Sequence, residues 1–308
     1  MKKGLIVTAV LMVIAFTSVG MWGDVRSAGS ALIKFPLYML PVIALFGFLN
    51  DLIKFLRWHL YLQKAGVAVS IKKSLTIFVA GLSMSATPGK FGFIIKSQML
   101  KSVSGHPLIA TSPVIIAELY MDLIVLSLIS LFSLRLLGTD LWMVMVICIL
   151  PLLGLFPGVP ELAAGLVGKI PLFSGKAAEM KTALDTIFAL FGPRVLVLSF
   201  LITLTAWASE GVALHLILKC LGFSMGVFDA TAVFGFATLL GALSMLPGGL
   251  VVTDASLMGL IMNAGIPKTP AALAAIMGRI FTLWLAVLIG STVLFINRKY
   301  LYGRSDAA

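Results

Sequence analysis

Long apolar runs, almost free of charge, determine what this chain can fold into. A helix needs about 20 apolar residues to cross a bilayer, and six runs approach or exceed this length: 4–22, 36–56, 112–134, 141–156, 194–218 and 271–296. The whole chain is 60% hydrophobic and 11% charged, more apolar surface than a water-soluble globule can bury. We therefore predict an all-α integral membrane protein with about six full spans, forming a single transmembrane domain over residues 1–308. This excludes soluble enzymes, secreted disulfide modules and disordered regulators.

The charge distribution predicts the orientation in the membrane. Lys and Arg outnumber Asp and Glu by 23 to 12, and they cluster between the apolar runs, as in cytoplasmic loops. We expect a multi-pass protein of the cell membrane with both termini cytoplasmic, and no nucleic-acid partner. Run 4–22 is longer than the apolar part of a signal peptide, which favours an uncleaved span. Residues 157–193 are amphipathic, and we predict a cytoplasmic connection there.

Two further apolar segments, 74–100 and 228–263, are interrupted in the middle. The interruptions are Thr-Pro-Gly-Lys at 87–90 and Leu-Pro-Gly-Gly at 246–249. Proline removes a backbone donor and glycine frees the backbone, so each segment should be two half-helices around an irregular joint. Such a joint is tolerated at membrane depth only where protein buries it or where it lines a polar cavity. We predict two helical hairpins, re-entrant or crossing twice, whose hinge residues are Pro88, Gly89, Pro247, Gly248 and Gly249.

The two interrupted segments align with each other and indicate an internal repeat. The aligned residues include Ser85 with Ser244, Pro88 with Pro247, Ser97 with Ser256, Gly66 with Gly222, Gly105 with Gly265, and Pro107 with Pro267. Repeat 1 covers about residues 36–134 and repeat 2 about 194–296. Counting spans with Lys2 and Lys3 inside, the copies cross the membrane in opposite directions, unless one hairpin crosses only once. An inverted repeat is typical of alternating-access transporters, and we expect the two joints to meet near the middle of the membrane.

Charged residues inside apolar segments are candidates for a substrate-binding site, because a charge at bilayer depth is costly. The candidates are Lys90, Lys96, Glu118, Asp122, Glu210, Asp254 and Arg279. Glu118 and Asp122 are four residues apart and share one helix face; the alternative is a pair anchored near the membrane surface. Arg279 lies near the middle of its span, where it can bind a phosphate or pair with an acid such as Glu210.

The two lysines of this set flank the start of a returning half-helix. Its free N–H groups and positive partial charge attract anions, so Lys90 and Lys96 are candidates for binding an anionic head group; the alternative is that they are ordinary cytoplasmic lysines. The sequence contains no glycine-rich nucleotide loop, no Ser/His/Asp order and no Cys/His metal set. We therefore expect no catalytic residues, no metal and no cofactor, and we expect the protein not to be an enzyme.

The motifs resemble those of the lysylphosphatidylglycerol synthetase/flippase transmembrane-domain family. The resemblance rests on the Thr-Pro-Gly-Lys-x-Gly run within 84–92, on Glu118-x-x-x-Asp122, and on Leu-Pro-Gly-Gly-Leu at 246–250 followed by Asp254 and Arg279. It covers about residues 5–297. Two positions depart from the family pattern: Phe93 stands where an acidic residue is usual, and Val251 stands where a further glycine is usual.

The resemblance implies lipid translocation. Some members fuse this membrane domain to a soluble aminoacyl-transfer domain, whereas this chain ends at Ala308, so the expectation is translocation without synthesis. The expected function is a flippase that moves an anionic lipid, a phospholipid or a polyprenyl-phosphate-linked sugar, by alternating access. The alternatives are a membrane-embedded transferase or accessory subunit of lipid synthesis and, less favoured, an ion-coupled small-solute transporter. The expected partners are membrane lipids with anionic head groups; homo-oligomerisation is left open.

Overall fold

Four long apolar helices dominate the part of the chain that the structure describes. The computed structural model describes residues 32–88, 91–133, 146, 149 and 185–302. The helical stretches long and apolar enough to cross a bilayer are Leu37–Lys64, Ala110–Leu131, Pro193–Cys220 and Lys268–Ile296. They correspond to four predicted spans and confirm an all-helical, multi-pass membrane protein. The predicted span 4–22, nearly all of 141–156 and most of the predicted connection 157–193 lie outside the described residues.

The first half of the described chain contains four helices. They are α1 (Leu40–Lys64), α2 (Ile71–Gly81), α3 (Ile95–Ser104) and α4 (Leu108–Leu131). Short 3-10 turns, Leu82–Met84 and Phe91–Ile94, lie on either side of the predicted joint between α2 and α3. The segment 74–100 is therefore two half-helices, as its Pro-Gly interruption predicts.

The second half repeats this order of elements. It contains α5 (Pro193–Cys220), α6 (Val227–Leu243), α7 (Val252–Asn263), α8 (Lys268–Arg279), a π-helical segment (Ile280–Trp284) and α9 (Leu285–Ile296); a short helix, α10 (Arg298–Tyr302), follows. The segment 228–263 is also broken, between α6 and α7. In both halves a long helix is followed by a short helix, a joint, a second short helix and another long helix.

Glycines at equivalent positions end the helices of the two halves. The backbone has a positive φ at Gly66 and Gly222, after the first long helices, and at Gly105 and Gly265, after the second short ones. The N–H of Val67 donates to the Leu62 carbonyl, and that of Phe223 to the Leu218 carbonyl, both at 2.9 Å. These bonds satisfy the last carbonyls of each helix. The aligned glycines therefore perform the same local task in both halves.

Contacts between the halves follow a reciprocal pattern. α1 packs along α5, α4 packs against α6, and α9 packs against α2 and its 3-10 turn. The last long helix of each half thus contacts the first short helix of the other. Large apolar side chains such as Leu201 and Leu288 remain exposed on the outside, which is the surface expected to face lipid.

Gly47 is predicted to be essential for the packing of α1 against the π-helical segment. A Cβ at Gly47 would lie 2.1 Å from the Phe281 carbonyl oxygen, whereas nothing lies within 4 Å of one at Gly259. We expect Gly47→Ala to destabilise the protein by about 1–3 kcal/mol, the usual cost of overpacking. Thermal unfolding in detergent measures the effect, with Gly259→Ala as the control. Equal melting temperatures for the two variants would contradict the prediction.

Candidate functional site

The two broken joints contact each other. Pro88 and Pro247 pair in an isolated antiparallel bridge, and a Cβ at Gly248 would lie 3.4 Å from the Cα of Ala86. The expectation that the joints meet is therefore confirmed. Two residues predicted at the first joint, Gly89 and Lys90, lie outside the described residues.

The backbone of the second joint is strained. Met245 and Val251 have positive φ values of 55° and 69°, a conformation costly for side chains other than glycine. Val251 stands where the resemblance leads us to expect glycine, and its positive φ is a conformation that glycine adopts without strain. Its N–H donates to a carboxylate oxygen of Asp254 at 3.2 Å, which helps to hold this conformation.

A cavity of about 360 Å³ lies beside the joints, and its lining combines charges of both signs. The size falls in the range of small-molecule sites. Most lining residues are apolar; the charged ones are Lys54, Arg57, Lys96, Arg279, Asp51, Glu118, Asp122 and Glu210. Five predicted site residues thus share one cavity, together with the hinge residues Gly248 and Gly249. Asp254 does not line it but pairs with Arg279.

Lys96 and Glu118 form a buried ion pair at one side of the cavity. The Lys96 ammonium is 2.6 Å from a Glu118 carboxylate oxygen, and both side chains are at most 5% exposed. The same ammonium lies 4.3, 5.0 and 4.8 Å from the ring centres of Trp58, Phe78 and Phe93, contacts that stabilise a cation. Lys96 is therefore a buried, ion-paired residue that lines the cavity, and not an exposed lysine of a loop.

Asp122 is held by two cations from α1. Its carboxylate lies 2.9 Å from the Arg57 guanidinium and 3.6 Å from the Lys54 ammonium. Arg57 also donates to the Thr203 hydroxyl of α5 at 2.6 Å, and the Lys54 ammonium lies 3.7 Å from the Trp207 ring centre. The cluster joins α1, α4 and α5, and therefore connects the two halves.

Arg279 pairs with Asp254 and with the second joint. Its Nε is 3.2 Å from an Asp254 carboxylate oxygen, and its Nη2 donates to the Gly248 carbonyl. The expected partner of Arg279 was Glu118 or Glu210; the observed partner is Asp254, and Glu118 pairs with Lys96 instead. The π-helical segment begins directly after Arg279; such segments are frequent at functional sites.

Lys54 and Arg57 also line the cavity, although neither was among the predicted site residues. The predicted span 36–56 ends too early, because α1 continues to Lys64, and both side chains are buried in the protein and not exposed in a basic loop. The spacing of the polar residues in this helix could have indicated their shared position. Asn50, Lys54, Arg57 and Tyr61 follow one another at intervals of four, three and four residues, which puts them on one helix face, and all four are buried.

Comparisons with known proteins agree with this architecture. The family model described as the lysylphosphatidylglycerol synthase TM region matches residues 4–290. Two proteins called UPF0104 membrane protein, both from Methanothermobacter thermautotrophicus, are 30% identical over 92 residues and 29% identical over 96 residues. These alignments cover 30% and 31% of this chain and 28% of the length of each relative. Since the family model spans nearly the whole chain, the protein belongs to the lysylphosphatidylglycerol synthase transmembrane-region family.

Proposed function

We propose that this protein is a lipid flippase that carries the head group of an anionic lipid across the membrane. One observation carries the proposal: the cavity where the two broken joints meet contains charged groups of both signs within an apolar helical shell. A charged group in hydrocarbon costs several kcal/mol. A polar cavity lowers this cost for the head group, while the tails stay in the surrounding lipid.

The cations of the cavity are the groups suited to a phosphate. Arg279 presents a planar guanidinium, which can bind two phosphate oxygens at once. The ion pairs around it balance charges that would destabilise the protein if they were buried alone. The substrate class in this proposal is a phospholipid or a polyprenyl-phosphate-linked sugar.

Alternating access is the mechanism we propose. The equal order of elements and the equivalent glycines support a repeat, and opposite orientation of the two copies would provide two conformations of similar energy. In the proposed topology both termini are cytoplasmic. The Pro-Gly joints serve as hinges, because they lack continuous helical hydrogen bonding.

Reconstitution tests the proposal directly. The purified protein is placed in phosphatidylcholine vesicles that carry fluorescent phosphatidylglycerol in both leaflets. If the protein transfers lipid, the fluorophore of the inner leaflet should become accessible to a reducing quencher added outside. Protein-free vesicles and vesicles containing heat-denatured protein are the controls. Failure to exceed these controls with either phosphatidylglycerol or a polyprenyl-phosphate sugar would reject the flippase proposal.

A membrane-embedded role in lipid synthesis is the second candidate, favoured by the word synthase in the family description. We propose that the chain is not an enzyme, because moving a head group requires different stabilisation of two states and no covalent step. Mass spectrometry of lipids incubated with the purified protein and cell extract distinguishes the two. A new lipid species that depends on this protein would favour the transferase.

Gly248 is predicted to be needed for movement at the second joint. Its φ is 60°, and a Cβ there would lie 3.1 Å from the Leu283 side chain. We expect Gly248→Leu to trap one conformation, lowering the transfer rate by about tenfold or more while changing lipid affinity less, a barrier change of about 1.4 kcal/mol. Vesicle transfer and lipid binding measure the two quantities, with Gly259→Leu as the control. Equal losses of rate and affinity would contradict the hinge role.

A further inference from the structure

Two buried ion pairs occupy equivalent places in the two halves, with their charges exchanged. Lys96 on α3 pairs with Glu118 on α4, and Asp254 on α7 pairs with Arg279 on α8. Each pair joins the short helix that follows a joint to the next helix of the same half. In the first half the short helix carries the cation; in the second half it carries the anion.

Each cation is held in place by the protein with a carboxylate bound to it. Three aromatic rings surround the Lys96 ammonium, and Gly81 leaves room for the lysine stem, since a Cβ there would lie 2.5 Å from the Lys96 Cγ. Arg279 is held by the Gly248 carbonyl as well as by Asp254. Carboxylate and phosphate oxygens accept the same charge-assisted hydrogen bonds from ammonium and guanidinium groups. The carboxylates of Glu118 and Asp254 therefore stand where phosphate oxygens can bind.

We propose that Lys96 and Arg279 are two alternative subsites for the lipid phosphate, and that Glu118 and Asp254 are the counter-ions it replaces. The identity of the ligand as a lipid rests on the proposed function. A phosphate at one subsite displaces one carboxylate, and the other ion pair stays intact. The phosphate thus replaces the carboxylate as the counter-ion of the cation, and its contacts must outweigh the cost of leaving the displaced carboxylate without that partner.

This exchange links binding to movement of one joint at a time. Phosphate at Lys96 breaks the ion pair between α3 and α4. Phosphate at Arg279 breaks the ion pair between α7 and α8. In both cases the short helix that follows a joint loses its tie to the next helix, while the other half keeps its own tie. One half is loosened and the other remains closed, as alternating access requires.

Removing a counter-ion carboxylate should strengthen phosphate binding. We expect Glu118→Gln and Asp254→Asn each to bind dioctanoyl phosphatidylglycerol about tenfold more tightly than the unaltered protein, a difference of about 1.4 kcal/mol, because no carboxylate then competes. Titration calorimetry in detergent measures the affinity, with Asp185→Asn, an exposed carboxylate, as the matched control. The double variant Lys96→Gln/Glu118→Gln should lose the gain. Inorganic phosphate and dioctanoylglycerol are the comparison ligands; equal binding of inorganic phosphate would identify a free anion as the ligand.

Unchanged or weaker binding in both carboxylate variants would overturn the subsites and leave the ion pairs a structural role. Where Glu118→Gln is too unstable for calorimetry, the rise of its melting temperature with phosphatidylglycerol concentration measures the same affinity; a rise no larger than that of the Asp185→Asn control counts against the proposal. The vesicle assay separates the two proposals. Tighter binding without transfer would reject the flippase and keep the subsites, whereas transfer by the unaltered protein without tighter binding in the variants would reject the subsites alone.

Discussion

Replacing Arg279 by alanine should reduce lipid transfer in vesicles by about 10- to 100-fold. A hydrogen bond to a charged group contributes about 1.5–3 kcal/mol, and each 1.4 kcal/mol changes a rate about tenfold. The interaction that is lost is the one with the phosphate during transfer, because Arg279 lines the cavity. The guanidinium also holds the second joint through the Gly248 carbonyl. Arg279→Lys should recover only part of the rate, since an ammonium cannot make the planar contact with two phosphate oxygens.

The measurement needs a control for folding. Arg279→Ala leaves the Asp254 carboxylate with its bond from the Val251 N–H, so we expect folded protein in the membrane. The double variant Arg279→Ala/Asp254→Asn also removes the Asp254 charge, and it should transfer lipid no faster than Arg279→Ala. Arg194→Ala, at an exposed position near the start of α5, is the matched control and should keep the full rate. Transfer by Arg279→Ala at the rate of the unaltered protein would eliminate Arg279 as a phosphate ligand.

Replacing Asp122 by asparagine should destabilise the protein by about 3–5 kcal/mol, the usual cost of breaking a buried ion pair from one side. Asp122 is the carboxylate shared by Lys54 and Arg57, and the Arg57 side chain is only 1% exposed. Without Asp122 the guanidinium loses its ion pair and keeps its bond to Thr203. Because this cluster joins α1, α4 and α5, its loss should loosen the contact between the halves.

Thermal unfolding in detergent measures the stability, with the exposed Asp185→Asn as the control. Arg57→Met added to Asp122→Asn should recover part of the loss, because it removes the buried guanidinium and keeps an unbranched apolar side chain in its place. If the double variant were no more stable than Asp122→Asn alone, buried charge would not be the cause of the loss.

Local chemistry explains which features of the fold were predictable. The breaks in the two hairpins were predictable because proline and glycine interrupt a helix through their own backbone chemistry. A glycine with a positive φ follows the end of each of the helices α1, α3, α5 and α7 within two residues. Glu118 and Asp122 were predicted to share a face because helical spacing alone decides that. These conclusions need no knowledge of neighbouring helices, since each depends on a few consecutive residues.

The end of the first long helix shows where local reasoning failed. Lys54 and Arg57 lie among apolar and basic residues that suit a cytoplasmic loop as well as they suit the end of a helix. A count of positive charges cannot show that a side chain is buried. Their burial depends on Asp122, which is 65 residues from Arg57. The carboxylate and α5 together stabilise the extension of α1 into the site.

The membrane environment, the helical class and the positions of the two breaks could all be read from the sequence, because apolar length, proline and glycine act on the backbone locally. Which charges are partners, in contrast, became visible from the packing of the helices. It paired Lys96 with Glu118, Asp122 with Arg57, and Arg279 with Asp254, and it brought Pro88 against Pro247. The physical reason is that a buried charge is stabilised by whatever opposite charge the packing of distant helices brings within a few ångströms, and helix packing is not encoded in the order of neighbouring residues.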